Sequence, residues 1–336
     1  MFYWDILISI WHKYEELTIL KNNLSPECLG ILDARLVLNY KLMPVNYFNE
    51  VERAKCRRKT QKYNMIDYFE KVVKKDKSII DDYEKIIEGN GAHIYFRMKI
   101  IACSEFNPEW AYTLIKHYGA RRVLDMSAGR GARLLGAMLA GCDYYLGIDP
   151  NEATNINNRT MGSFYKYYFN LKTEFDFIDS GFEVPWEEKL LNTNKNLFTG
   201  KSEMRKFDMM ISSPPYYDLE IYVSEDKSSG DKFSGDKFSG DKSSGNKFSA
   251  QSIWNKSFEE WLDEFFIFSI CKVIKFIKTG GYIIINIDNS VNKLVKEDYT
   301  TPLITSKKIR QAGAKYLGYY RLKDIVPCTF WVFQKL

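Results

Sequence analysis

The segment VLDMSAGRGARLLGAMLAG, residues 123–141, decides the fold class of this chain. Its first residues are apolar and predict a buried strand that ends near Asp125, and its last residues carry the pattern of a helix. Between them, Gly129 and Gly131 allow a tight turn and a close approach of the backbone to a ligand. A strand, a glycine turn and a helix with unpaired N–H groups at its start are typical of a nucleotide site in an α/β domain.

A second acidic residue supports this interpretation. The segment YLGIDPN, residues 145–151, predicts another strand, which ends at Asp149. A carboxylate at this position can accept hydrogen bonds from both ribose hydroxyls of a nucleoside. The alternative is structural: the glycines allow the helix to pack closely on the strand, and Asp149 caps the following helix.

Strand and helix patterns alternate from about residue 123 to the C-terminus. This alternation predicts an α/β fold with a doubly wound, mostly parallel, seven-stranded sheet that is covered on both faces. Helices are expected from about Arg130 and over residues 258–279. The predicted strands are residues 121–127, 144–150, 174–179, 207–213, 280–288, 314–322 and 328–335. Because the last two are separated by too few residues for a crossover helix, we expect them to form an antiparallel hairpin at the sheet edge.

Two other segments have a different character. Residues 1–91 carry apolar residues at helical spacing and predict a helical N-terminal domain, which leaves residues 92–336 for the α/β domain. Residues 226–250 are five tandem pentamers, DKSSG, DKFSG, DKFSG, DKSSG and NKFSA. Their period fits neither helix nor strand and their residues oppose burial, so we interpret residues 225–250 as a flexible insertion.

The composition argues against several classes of protein. The 336 residues are 45% hydrophobic and carry a formal net charge of +5, which suits a mildly basic globular protein and permits a polyanionic partner. Six cysteines without a CxxC pair, and three histidines, argue against a zinc site or a disulfide framework. The N-terminus lacks the features of a signal peptide, and no apolar stretch reaches membrane-spanning length. We therefore expect an intracellular, soluble protein without a metal, cytoplasmic or nuclear, or a viral protein in a host cell.

The glycine turn suggests a family. The pattern Asp125-x-Ser127-x-Gly129-x-Gly131 resembles the S-adenosylmethionine loop of class I methyltransferases, with Ser127 where their first glycine commonly stands. The resemblance implies S-adenosyl-L-methionine as the cofactor, with Asp125 facing its ammonium group directly or through water. It also implies that Phe106-Asn107-Pro108 covers the methionine end, and we expect Asp179, after the third strand, to contact the adenine. The closing hairpin is similar to the reversed edge of this fold.

A second motif, Ser213-Pro214-Pro215-Tyr216, follows the apolar run of the fourth predicted strand. Prolines often end strands, so a purely structural interpretation exists. Beside such a cofactor loop, however, the motif resembles the (D/N/S)-P-P-(Y/F) motif of methyltransferases that act on exocyclic base amines. The resemblance covers residues 92–336 and extends to viral and phage members.

The chemistry of this motif explains its residue types. An aryl amine is a poor nucleophile because its lone pair is delocalised into the ring, so a site must orient the amine rather than attack it. Ser213 can accept one N–H group and the carbonyl of Pro214 the other, while Pro215 helps to fix that carbonyl. Tyr216 offers a ring on which the base can stack.

The resemblance implies a DNA methyltransferase of the N4-cytosine/N6-adenine family. Serine in the first position is commoner among enzymes that methylate cytosine N4, so we expect that target, with adenine N6 as the first alternative. Methylation of RNA or protein amines is a further alternative. An inactive nucleic-acid-binding module on the same fold is the alternative from another class.

Two other features bear on the partner and the reaction. The basic stretch at residues 52–62 either binds phosphates or forms a solvated helix face. We favour phosphate contacts by Arg53, Arg57, Arg58 and Lys59. Pro327-Cys328 invites comparison with the nucleophile of cytosine C5-methyltransferases, but Cys328 leads into the last predicted strand, where a small core residue is expected.

Overall fold

The computed structural model describes residues 18–20, 25–33, 48–49, 52–53, 55–58, 64, 106–186, 198–199, 203–204, 206–217, 220–221, 257–287, 298, 300–322 and 329–336. The strands among them are β1 (Thr18–Leu20), β2 (Cys28–Asp33), β3 (Arg57–Arg58), β4 (Arg122–Asp125), β5 (Tyr144–Asp149), β6 (Glu174–Asp179), β7 (Phe198–Thr199), β8 (Glu203–Met204), β9 (Phe207–Ser212), β10 (Glu220–Ile221), β11 (Ile277–Asn286), β12 (Ala314–Leu322) and β13 (Thr329–Lys335).

The helices have sequence signals at their ends. They are α1 (Pro108–Tyr118), α2 (Ala132–Leu139), α3 (Glu152–Tyr168), α4 (Phe258–Trp261), α5 (Phe268–Ile274), α6 (Thr300–Thr305) and α7 (Lys307–Gln311), with a π-helical stretch, Leu262–Ile267, between α4 and α5. Helix α1 begins with Pro108 and ends before Gly119, which has φ 61°. Proline is common in the first turn of a helix, and glycine is common in the left-handed conformation just after its end. Ser257 and Glu260 form a reciprocal capping box at the start of α4.

Within the described residues, the main sheet has nine strands in the order β1-β2-β12-β13-β11-β9-β4-β5-β6. The run from β11 to β6 is parallel throughout. β13 is antiparallel to both of its neighbours, β11 and β12. The predicted α/β class and the antiparallel pairing of the last two strands are therefore confirmed.

Helices cover both faces of this sheet. On one face, Trp261, Phe266 and Ile270 of the α4–α5 region pack with buried strand residues such as Leu146. On the other face, helices α1, α2 and α3 pack against strand residues that include Tyr145 and Ile211. Because both faces are buried, the central strands are continuous apolar runs rather than alternating ones.

The sheet differs from the prediction at its edge. The hairpin of β12 and β13 does not end the sheet, because β2 pairs in parallel with β12 and β1 pairs with β2. An exposed edge strand leaves a row of N–H and C=O groups unpaired, and the added strands satisfy these groups along β12. The sheet therefore has more strands than the seven that the sequence predicts.

The same strands change the expectation for the N-terminal segment. Residues 18–20 and 28–33 form strands rather than the predicted helix, while Phe48, Asn49, Glu52, Arg53 and Lys55 are helical. Phe48 packs on Phe164 and Tyr165 of α3, with ring centroids 5.5 and 6.1 Å apart. The described part of residues 1–91 thus packs directly on the α/β unit. The division of the chain at residue 91 stays a prediction.

Several predictions lie outside the described residues. They concern Lys59, the pentamer insertion at 225–250 and Cys328. In the part of the chain that the structure describes, no helix is both long and apolar enough to cross a bilayer. The same part contains no cluster of histidine, cysteine and acidic side chains suited to hold a metal ion.

Candidate active site

The turn between β4 and α2 has a backbone conformation that glycine adopts readily. Gly129 has φ 53° and Gly131 has φ 87°, both in the left-handed region. A Cβ atom at Gly131 would lie 2.5 Å from Oδ1 of Asn158 and 2.6 Å from Cε of Met161, both in α3. Position 131 therefore requires glycine for its conformation and for its close packing against α3.

Two buried asparagines hold the carbonyl groups of this turn. Asn158 Nδ2 donates to the carbonyl of Gly129 (2.7 Å), and Asn49 Nδ2 donates to the carbonyl of Arg130 (2.9 Å). Asn49 Nδ2 also donates to Oδ1 of Asn158 (3.0 Å), which links the two side chains. Because C=O and N–H of a trans peptide point in opposite directions, these bonds turn the N–H groups of Arg130 and Gly131 away from the asparagines.

Asp149 ends β5 beside this turn, as the sequence predicts. Its Oδ2 accepts the N–H of Gly129 (2.8 Å) and its Oδ1 accepts the N–H of Asn151 (3.0 Å). Burial raises the pKa of the Asp149 carboxyl, and the two backbone hydrogen bonds oppose this shift without cancelling it. Asp149 thus sits next to the glycine turn, where its part in binding a ribose stays a prediction.

Asp179 ends the neighbouring strand β6. Asn155 Nδ2 donates to Oδ1 of Asp179 and to the carbonyl of Asp149, both at 2.8 Å, and so ties the ends of the two strands together. Arg159 Nη2 also lies 3.3 Å from Oδ1 of Asp179, in a partly exposed ion pair. The structure therefore brings Asp179 to the same edge of the sheet as Asp149.

Asp125, at the end of β4, is the centre of a buried hydrogen-bond network. Its Oδ1 accepts bonds from the Ser212 hydroxyl (2.8 Å) and the Ser127 N–H (3.2 Å). Its Oδ2 accepts bonds from Arg133 Nε (2.6 Å) and the Tyr145 hydroxyl (2.7 Å). Burial, followed by the neighbouring carboxylate, raises the pKa of Tyr145, so the phenol stays protonated and donates.

This network changes the expectation for Asp125. The side chain is fully buried, and a carboxylate offers about four acceptor positions, all of which protein donors occupy here. A direct contact with a ligand ammonium would have to replace one of these bonds. Asp125 thus joins the glycine turn to the end of β9, and its contact with a cofactor, direct or through water, stays a prediction.

The segment Phe106-Asn107-Pro108 lies against the same network. Asn107 precedes the first turn of α1, which Pro108 starts. The ring centroid of Phe106 lies 4.8 Å from Cζ of Arg133, a cation–π contact. The segment that the sequence predicts to cover the cofactor is therefore close to the glycine turn and to Asp125.

The proline corner follows β9, the strand next to β4. Ser212, the last residue of β9, is fully buried and bonds to Asp125, whereas Ser213 is partly exposed. Pro214 is buried, and Pro215 and Tyr216 are partly exposed. β5 and β9 lie on opposite sides of β4, so the corner borders the crevice where the strand order reverses. Such a crevice is the usual ligand site of an open α/β sheet.

Only part of the basic stretch lies next to the proline corner in the described residues. β3, Arg57–Arg58, pairs antiparallel with β10, Glu220–Ile221, a few residues beyond Tyr216. Arg53 is only 7% exposed, which differs from the open position expected of a phosphate contact. Nucleic-acid binding by these residues stays a prediction.

Sequence reasoning missed several residues of this site, namely Arg133, Tyr145, Asn158, Ser212 and Asn49. Arg133 gave a signal, because it is the only charged residue of the apolar helical segment ARLLGAMLAG, residues 132–141. The others have no local signal, since each acts through a partner that is distant in sequence.

Comparisons with known proteins concern the fold. No protein-family model matches the chain, and no curated protein sequence matches it significantly. Among solved structures, the N-methyltransferase NodS from Bradyrhizobium japonicum has 8% identity and a TM-score of 0.37, over 64% of this chain and 86% of NodS. A methyltransferase from Pyrococcus furiosus has 14% identity and a TM-score of 0.36, over 68% and 83% of the two chains.

A third similar structure contains ligands. The 16S rRNA N2 G1207 methyltransferase RsmC of Thermus thermophilus, in complex with AdoMet and guanosine, has 12% identity and a TM-score of 0.36. The match covers 70% of this chain and 44% of RsmC. At such identities and TM-scores these likenesses carry no information about the substrate of this chain.

Proposed function

We propose that this protein is an S-adenosylmethionine-dependent methyltransferase that acts on an exocyclic amine of a DNA base, with cytosine N4 as the first candidate. The observation that carries the proposal is the hydrogen bond between Ser212 and Asp125 (2.8 Å). It joins the proline corner to the glycine turn at one crevice. The two motifs are distant in sequence, and a methyl transfer needs both at one place.

The residues at the crevice suit S-adenosylmethionine. The turn from Ser127 to Gly131 combines left-handed glycines with N–H groups directed away from Asn49 and Asn158, which suits a closely bound ligand. Asp149 offers acceptors for the ribose hydroxyls, and Asp179 lies at the next strand end, where the adenine would follow. Phe106-Asn107-Pro108 would pack over the methionine end. The antiparallel β13, inserted between β11 and β12, agrees with the sheet edge that the resemblance implies.

The proline corner would hold the target amine. The bound cofactor supplies an electrophilic methyl group on a sulfonium. Ser213 and the carbonyl of Pro214 would accept the two N–H bonds, which would leave the lone pair of the nitrogen free for the methyl group. Pro215 restricts the backbone that carries this carbonyl, and Tyr216 stacks on the base. On transfer, the bond from the methyl carbon to sulfur would break with its electron pair left on sulfur, and the nitrogen would release its extra proton to water.

A nucleic-acid substrate fits the surroundings of the corner. The ribbon of β3 and β10 brings the backbone of Arg57–Arg58 close to the chain segment that leaves Tyr216. Arginines beside the target pocket would bind phosphates and contribute a salt-dependent part of the affinity. A duplex base must also be turned out of the helix to reach the corner, which costs roughly a few kcal/mol.

The experiment that tests the proposal is mass spectrometry of nucleosides from DNA that was incubated with the protein and S-adenosylmethionine. We expect N4-methylcytosine, whereas N6-methyladenine would move the assignment to the first alternative. Parallel incubations with RNA and protein are the controls, and methylation found only there would refute DNA as the substrate. Binding of S-adenosylhomocysteine without transfer to any of the three would support the inactive module.

A further inference from the structure

Arg133, in the first turn of α2, is a buried charge with unused hydrogen-bond donors. Its side chain is 5% exposed. Its Nε donates to Oδ2 of Asp125 at 2.6 Å, and its Nη2 donates to the carbonyl of Ser127. A guanidinium has five N–H groups, and the two on Nη1 have no acceptor within the described residues. Nη1 is not one of the fully buried, unpaired side-chain atoms of the described residues, so its N–H groups are accessible to a ligand.

Three parts of the candidate site meet at this guanidinium. Asp125 ends the strand, Ser127 belongs to the glycine turn, and the ring of Phe106 lies 4.8 Å from Cζ of Arg133. The turn and Phe106 are the parts that would hold the methionine end of the cofactor. That end carries one ammonium and one carboxylate group. A planar guanidinium fixed on one edge is well suited to bind a carboxylate on another.

The network around Asp125 favours the carboxylate over the ammonium. Asp125 and Arg133 form a buried ion pair, so the pair as a whole adds little net charge. The acceptor positions of Asp125 are filled by Ser127, Ser212, Arg133 and Tyr145. Arg133 therefore has donors to offer, whereas Asp125 has no acceptor position left.

We propose that Arg133 binds the carboxylate of the cofactor's methionine end through Nη1, while Asp125 holds the guanidinium in place. The inference rests on the proposed function, because it needs a cofactor with an amino-acid end. It assigns to Arg133 the selectivity for a complete methionine group, and to Asp125 a positioning role in place of a direct contact.

The first test compares ligands on the unaltered protein by calorimetry. S-Adenosylhomocysteine has the complete amino-acid end, S-adenosyl-3-thiopropylamine lacks only the carboxylate, and 5′-methylthioadenosine lacks the whole end. Because a hydrogen bond between a guanidinium and a carboxylate is strong, we expect S-adenosylhomocysteine to bind about 10- to 100-fold more tightly than the thiopropylamine compound. Equal affinities for S-adenosylhomocysteine and the thiopropylamine compound would refute carboxylate binding by Arg133 and would leave the proposed function intact. Failure of all three to bind would instead refute the proposed function, and the inference with it.

The second test uses variants. Arg133→Met should remove the preference for S-adenosylhomocysteine over the thiopropylamine compound while affinity for 5′-methylthioadenosine changes little. Because this change leaves the Asp125 charge unpaired, the double variant Asp125→Asn with Arg133→Met provides a second form without either charge. Arg121→Met is the matched control, since Arg121 pairs with Asp143 at the opposite end of β4 and should keep the full preference. If both Arg133 variants lost the same affinity for all three ligands, Arg133 would only stabilise the fold. That result would contradict the proposal.

Discussion

Ser212 and Ser213 are neighbours in sequence, but the structure gives them different roles, and replacing each by alanine separates those roles. The Ser212 hydroxyl is fully buried and donates to Oδ1 of Asp125 at 2.8 Å. Ser213 is partly exposed, and its hydroxyl makes no hydrogen bond within the described residues. The two variants lose the same oxygen atom, so each is the matched control of the other.

The magnitudes follow from these surroundings. In Ser212→Ala a buried carboxylate loses one of its donors, which should lower the free energy of unfolding by about 1.5–3 kcal/mol. Ser213→Ala removes a partly exposed hydroxyl that makes no hydrogen bond within the described residues, and should change that free energy by less than about 0.5 kcal/mol. Its catalytic effect should be large, because one hydrogen bond that orients a developing charge is worth about 10- to 150-fold in kcat.

Three measurements decide the outcome: urea unfolding, S-adenosylhomocysteine titration and methyl transfer to DNA from labelled cofactor. Ser213→Ala should lose kcat and keep its cofactor affinity and stability. Ser212→Ala should lose stability and, because the network supports the glycine turn, cofactor affinity. Wild-type kcat in Ser213→Ala, or a parallel loss of its cofactor affinity, would refute the assignment of the corner. Unchanged stability of Ser212→Ala would refute the network.

Three further predictions concern the cofactor side of the crevice. Gly131→Ala should lower the free energy of unfolding more than Gly141→Ala does. Both variants cost about 1–2 kcal/mol for the left-handed conformation, but only a Cβ at position 131 would also clash with α3. Equal losses of stability in urea unfolding would contradict this close packing. Asn49→Ala should weaken S-adenosylhomocysteine binding about 2- to 12-fold, because one hydrogen bond that holds the turn is lost. Calorimetry that finds no change would show that Asn49 has no part in the site. Burial raises the pKa of Asp149, so its protonated carboxyl group favours the folded state at low pH, and this contribution is lost as the pH rises through the raised pKa. Ribose binding needs the ionised form, so affinity for S-adenosylhomocysteine should fall on acidification at a higher pH than an ordinary aspartate would give, and Asp149→Asn should flatten this pH profile.

Local patterns in the sequence were enough to predict the strands and helices of the α/β unit. All seven predicted strands have counterparts in the structure, and those at 174–179 and 314–322 agree at both ends. The helix predicted for 258–279 ends at Ile274 because β11 already begins at Ile277. Apolar runs, helical spacing and glycine turns depend on neighbours along the chain, so they are visible in the sequence.

The site was visible from the sequence only as separate motifs. The acidic residues at strand ends and the proline corner could be named, because each motif is contiguous. Their meeting at one crevice depends on β9 lying next to β4, which is a property of the sheet order. The hydrogen-bond network of Asp125 depends on three side chains, from α2, β5 and β9, and on one backbone N–H of the glycine turn.

The N-terminal segment shows the same division most clearly. Its apolar spacing predicts helix, yet residues 28–33 form a strand, because pairing with β12 satisfies backbone groups that a helix there would leave exposed on the sheet edge. Asn49 likewise looks like an ordinary polar residue until the fold brings it to the carbonyl of Arg130. The sequence by itself determined which segments become strands and turns of the α/β unit. Only the tertiary structure decided which side chains share a buried charge, because burial and pairing arise between segments that are far apart along the chain.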